Sequence, residues 1–157
     1  MRRLYINGSW IPSSSGDGID VVNPATEQVI DRVPVGTRAD AVAAVAAARD
    51  TFPRWAATAP ATRAKFLTAA GELLAARAER IARVIAADLG APYELALRLH
   101  VGLPLRVLRS YAKLAAEYPF DGGRAGDAVV VREPAGVAAA ITSWTLPLHL
   151  PVCKVAA

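Results

Sequence analysis

The chain has 157 residues, 54% of them hydrophobic and 20% charged, a balance that excludes intrinsic disorder and allows a buried core. Its net charge of +4 is spread over several helical stretches with no dense basic block or interleaved aromatics, which argues against a nucleic-acid binder. One cysteine excludes an internal disulfide and suits a reducing compartment. Met1-Arg-Arg-Leu4 leads into Tyr5-Ile-Asn-Gly8 rather than an apolar signal region, and no run is long enough to span a bilayer, so the expected location is the cytoplasm.

Residues 1–35 read as opening strands and turns. Asn7-Gly8 between Leu4-Tyr5-Ile6 and Trp10-Ile11 is a two-residue hairpin signal. Ser13 to Gly18 is a polar loop, and Val21-Val22 and Gln28-Val-Ile30 are strand-like around an Asn23-Pro24 turn. Residues 37–118 read as helices. Thr37 is a good N-cap with Asp40 three residues on, and a first helix follows to about Phe52, with Val42, Val45 and Ala46 on one stripe. Pro53 and Pro60 bracket the next junction. A second helix is predicted from about Ala61 to Leu89, its stripe formed by Phe66, Ala70, Leu73, Leu74, Ile81, Val84 and Ile85. Gly90 suits a left-handed stop, and Pro92 the first turn of a third helix reaching about Tyr118 with a kink at Pro104.

Gly122 to Gly126 is a glycine-rich joint, and residues 127–133 are strand-like. Val137 to Ile141 contains no polar residue, the pattern of a parallel strand buried on both faces. Such a strand needs neighbours reached through crossover helices. Residues 134–157 hold one strand-helix step, so the sequence opens a nucleotide-binding type of domain without finishing it.

The stretch Glu133-Pro-Ala-Gly-Val137 to Trp144-Thr-Leu-Pro-Leu148 resembles the start of the cofactor domain of the NAD(P)-dependent aldehyde dehydrogenases. Their pattern is Glu-Pro-x-Gly-Val, a short apolar strand, then Pro-Trp-Asn-aromatic-Pro-Leu. Tyr5-Ile-Asn-Gly8 with Trp10, Asn23-Pro-Ala-Thr26, Ala39-Asp40 and Asp88-Leu-Gly-Ala-Pro92 extend the likeness along the chain. The fold class this implies is α/β: the N-terminal helical and hairpin part of the aldehyde dehydrogenase fold, plus the first strand-helix step of its Rossmann-like cofactor domain, incomplete. The resemblance also assigns the strand at 127–133 to a small sheet used for subunit pairing.

The resemblance places Ile141, Thr142, Ser143 and Trp144 in the cofactor cleft, near the nicotinamide end of NAD or NADP. It makes Thr145 the match of an asparagine whose amide donates to the oxyanion formed as a catalytic thiolate attacks the aldehyde. Threonine offers one shorter hydroxyl donor, and losing one such donor costs about 10²–10³ in rate. Ser143 stands where the family has proline. Cys153, beside Lys154, is out of context for the nucleophile and reads as a packed helix residue. His100 and His149 read as lone histidines without a metal-spaced partner, and no metal site is expected.

The implied parent reaction oxidises an aldehyde to a carboxylic acid with NAD(P). The segments bearing the nucleophile cysteine and base glutamate have no counterpart in this chain, so it is expected to be inactive alone, as a truncated or split gene product that does not hold the cofactor tightly. The alternative is a non-catalytic module that pairs, as a homo- or hetero-oligomer through exposed strands, with a full-length relative or partner chain. Neither nucleic acid nor membrane is expected as a partner.

Overall fold

A computed structural model describes residues 2–120 and 122–157, with the side chain of Ala125 also outside the description. Met1, at the head of the 1–35 stretch, and Asp121 lie outside the described residues. The chain opens on β1 (Leu4–Ile6) and β2 (Ser9–Ile11), paired antiparallel with Tyr5 opposite Trp10. Asn7 and Gly8 both have positive φ, 51° and 76°, the geometry that the predicted two-residue turn requires. The Tyr5 and Trp10 rings lie 5.0 Å apart across the strands.

A second hairpin joins β3 (Gly18–Val22) to β4 (Val29–Pro34). Its turn is built on Asn23, whose side-chain oxygen accepts from the Ala25 N–H at 2.9 Å while its carbonyl accepts from the Glu27 N–H at 2.8 Å. The hairpins are tied together by Arg2, which donates from Nε to Asp31 Oδ2 at 2.7 Å. That hydrogen bond is the main reason the Asp31 carboxyl sits below the usual carboxylate range.

Helix α1 (Arg38–Ala56) starts where the sequence indicates. Thr37 Oγ1 accepts from the Asp40 N–H, and Asp40 accepts from the Thr37 N–H at 2.9 Å, closing a capping box. Ser13, from the polar loop, adds a donor to Asp40 at 2.8 Å. The helix does not stop near Phe52. Pro53 lies inside its last turns, where the single missing N–H donor is not enough to end it.

The predicted second helix is two helices, α2 (Pro60–Ala75) and α3 (Ala78–Leu89), broken at Ala76 and Arg77. Neither glycine nor proline marks the break. Tertiary packing accounts for it: α2 lies along the helix at Gly102–Glu117, whereas α3 lies against the segment before that helix, Ala96–Val101, and one straight rod cannot follow both. Gly90 then ends α3 in the left-handed conformation, φ 67°, as predicted.

The predicted third helix is also interrupted. A short α4 (Tyr93–Leu95) runs into a π-helical segment, Ala96–Val101, and then α5 (Gly102–Glu117). The helical backbone continues from this segment into α5, and Pro104 is the third residue past the π-helical stretch, so the irregularity expected at Pro104 falls just before it; the Pro104 side chain is fully buried. The core is small, with Ala82, Ile85, Ala96 and Val101 surrounded by Ile81, Leu89, Tyr93, Leu97, Leu105 and Leu148. Four members of the predicted stripe, Phe66, Ala70, Leu73 and Val84, are exposed, as are Val42, Val45 and Ala46 on α1. On α2 the buried residues are instead Ala64 and Gly71, so the stripe read from spacing is not the face that is covered there, although Phe66 still meets the Trp55 ring at 5.8 Å.

Beyond α5, β5 (Arg124–Ala125) pairs with β6 (Ala128–Val129), so regular pairing takes in only two residues of the 127–133 stretch. Helix α6 (His149–Ala156) closes the described chain against α5. Among the described residues no helix is long and apolar enough to cross a membrane.

Candidate functional site

The segment from Glu133 to Ala157 is held at its far end. Leu148 packs onto the Ala82–Ile85–Ala96–Val101 cluster, and α6, which starts one residue later, lies along α5. The Pro147-Leu148 step thus ties the Trp144 turn to the helical core. At the near end Gly136 has φ 123°, a conformation open to glycine and strained for other residues, which explains glycine at that place in the motif.

Between those anchors Val137–Ile141, expected from the sequence to be a strand, forms none and has no strand partner among the described residues, because a ladder needs a neighbouring strand to pair with. Ile141 is 89% exposed although its sequence context is that of a doubly buried strand. Its backbone and apolar side chains have the composition of an interior strand and the environment of a surface loop.

The predicted cofactor-side residues, Ile141, Thr142, Ser143 and Trp144, and the predicted catalytic residue, Thr145, fall together on this open turn. All five are exposed, Trp144 at 77%. The Ser143 and Thr145 hydroxyls lie 2.7 Å apart and hydrogen-bond to each other. No wall faces them. A large apolar groove, of about 510 Å³, lies elsewhere, between α2 and α5, with Trp55, Phe66, Tyr111 and Tyr118 on its sides and Val155 to Ala157 at one end.

His149 differs from its sequence reading as a lone histidine. Cys153 Sγ lies 3.5 Å from His149 Nε2, one helical turn away. The spacing i, i+4 on a helix carried that information, since it puts two side chains on one face. Both are half-buried, and no third histidine, cysteine or acidic residue completes a metal-ligand group among the described residues. His100 is buried in the π-helical segment, with Nδ1 lacking a hydrogen-bond partner among the described residues.

The similarity to known proteins runs the length of the chain. A structure of a mutant aldehyde dehydrogenase C from Pseudomonas syringae, in complex with NAD+ and octanal, superposes with a TM-score of 0.95 at 39% identity, covering 99% of this chain and 32% of that one. A Mycobacterium tuberculosis aldehyde dehydrogenase complexed with NAD+ gives 0.92 at 36% identity, over 99% of this chain and 33% of that one. A Staphylococcus aureus protein provisionally named as an aldehyde dehydrogenase is 37% identical over 99% of this chain. The chain spans about a third of the length of the curated relatives it matches, 32% in that case. The structural likeness is to aldehyde dehydrogenase folds over that third, so the α/β fragment expected from the sequence is the one observed. The family model for the aldehyde dehydrogenase family matches residues 10–157, and the chain belongs to that family.

Proposed function

We propose that residues 1–157 supply one lip of the cofactor and substrate cleft of an NAD(P)-dependent aldehyde-oxidising enzyme and do not turn over aldehyde by themselves. The observation that supports this most directly is the near-complete superposition on an enzyme solved with NAD+ and octanal. In this reading Ile141, Thr142, Ser143 and Trp144 line the nicotinamide side, and Thr145 points its hydroxyl at the aldehyde oxygen. The strand at 127–133 serves subunit pairing, residues 134–157 begin the cofactor domain, and the protein works in the cytoplasm.

The residues present fit a dinucleotide as one wall only. An exposed indole and two hydroxyls offer stacking and polar contacts, but a ligand site normally buries most of its ligand, and nothing encloses the turn among the described residues. When bound, the nicotinamide accepts the hydride. The part left to this chain is to orient and polarise the aldehyde carbonyl through Thr145. Cys153 does not fit the family's nucleophile, because it lies on α6 directly after the Trp144 turn, whereas the resemblance places that cysteine in a later segment with no counterpart in residues 1–157. Proximity of nucleophile, base and cofactor is what the reaction demands, and one lip does not provide it.

The test is direct. Purified chain is mixed with NAD+ or NADP+ and octanal, and reduced cofactor is followed by fluorescence. No signal above buffer is expected, and sustained turnover overturns the inactivity. A second reading, a partner-binding module, is favoured by one observation, the bare apolar segment Val137–Ile141, which is free to pair with another chain. Co-purification of the chain with a full-length relative, lost on Ile141→Asp, supports it, and a chain that stays monomeric in the presence of that relative rules it out.

A further inference from the structure

The hydroxyl pair on the open turn has a consequence for the order of roles within it. We infer that Ser143 is a positioning residue for Thr145, and this rests on the reading of Thr145 as the donor to the aldehyde oxygen. Ser143 and Thr145 are two residues apart, flank the exposed Trp144, and their oxygens are 2.7 Å from one another. A hydroxyl has one hydrogen to donate and two lone pairs to accept with. If Ser143 donates to Thr145 Oγ1, the single Thr145 hydrogen is left for an outside acceptor, and the chain of two hydroxyls polarises it. In the opposite orientation the Thr145 hydrogen is spent on Ser143. An electron-rich carbonyl oxygen facing the turn selects the first orientation, because only that one offers it a donor from Thr145.

Proline at position 143 has no side-chain donor and a fixed φ. Serine there gives the shorter donor at 145 a second hydroxyl behind it. The two departures from the family pattern are thus one coupled change, in which the residue at 143 compensates for the residue at 145.

The test uses a chimera in which residues 1–157 replace the matching third of the Pseudomonas syringae relative, whose structure superposes on this chain with a TM-score of 0.95. Octanal oxidation, KM and NAD+ affinity are measured for the chimera, Ser143→Ala, Thr145→Ala and the double variant. Thr145→Ala is expected to lower kcat by about 10²–10³. Ser143→Ala lowers kcat by about tenfold with KM and NAD+ affinity unchanged, the size of one hydrogen bond lost in the transition state. The double variant is no slower than Thr145→Ala alone, and Ser143→Thr, which keeps the hydroxyl, restores the rate. Equal losses from Ser143→Ala in both backgrounds, or no loss in either, overturn the inference while leaving Thr145 in place. An unchanged kcat in Thr145→Ala instead overturns the reading of Thr145 itself. Where the chimera is insoluble, serine and threonine are written into the matching positions of the intact relative. Serine must then raise kcat beside threonine and not beside the relative's own residue, and equal effects in both settings reject the coupling.

Discussion

Gly90 and Pro24 meet across the fold. A Cβ placed on Gly90 would come within 2.7 Å of Pro24 Cγ, and Gly90 itself adopts a left-handed φ of 67°. The Asn23-Pro24 turn between β3 and β4 and the Leu89-Gly90 stop of α3 are therefore one contact, made by two motifs 66 positions apart in sequence. Glycine is required there twice, for its backbone conformation and for the proline ring packed against it.

Gly90→Ala is accordingly expected to destabilise the chain by more than about 1 kcal/mol, the cost of the left-handed conformation alone. Urea unfolding followed by circular dichroism measures it. Pro24→Ala in the same molecule removes the steric part, so the double variant loses less than the sum of the two single ones. Strict additivity would show that the ring contact carries no energy.

The start of α1 predicts an acid-sensitive stability. Asp40 is held at about 2, below its usual 3.8, chiefly by the Thr37 N–H and then by the Ser13 hydroxyl. The folded chain thus holds the Asp40 proton less tightly than the unfolded chain. Its contribution is complete above the unfolded value and is lost as pH falls from 3.8 through about 2. Unfolding midpoints should drop across that window, and Asp40→Asn should flatten the drop while lowering stability at neutral pH. Thr37→Ala, which removes the reciprocal half of the box, should cost about 1 kcal/mol at every pH.

The bare apolar segment Val137–Ile141 predicts a sticky surface. With Ile141 and Trp144 both largely uncovered, the isolated chain should bind a hydrophobic dye and lose solubility as its concentration rises. Val137→Lys with Ile141→Lys should reduce dye binding and leave the unfolding free energy within about 0.5 kcal/mol, since neither side chain contributes to the core. A large loss of stability in that variant would mean the segment is packed in solution.

His100 and its neighbour Val101 should respond in opposite directions. His100 is 6% exposed with Nδ1 unpartnered among the described residues, so His100→Leu removes an unmet polar group and should be neutral or stabilising in urea unfolding. Val101 is 1% exposed in the central cluster, and Val101→Ala should cost about 2 kcal/mol.

Local chemistry made several elements legible without coordinates. Asn7-Gly8 dictates its hairpin because both residues tolerate positive φ. Thr37 with Asp40 dictates a helix start because the two side chains satisfy each other's backbone donors, and Gly90 dictates a stop. The order of motifs from Tyr5 to Leu148 pointed to the aldehyde dehydrogenases, and the family match over residues 10–157 agrees. Tertiary packing decided what periodicity does not encode. The break at Arg77 and the π-helical turn before Gly102 arise because consecutive helical stretches must lie against different neighbours. The Cys153–His149 contact and the docking of Leu148 on the α3 core likewise depend on where helices are placed. The same physical reason applies to Val137–Ile141. Composition specifies which side chains need burial, but only neighbouring chain in three dimensions can bury them or draw them into a strand, and among the described residues that segment stands open.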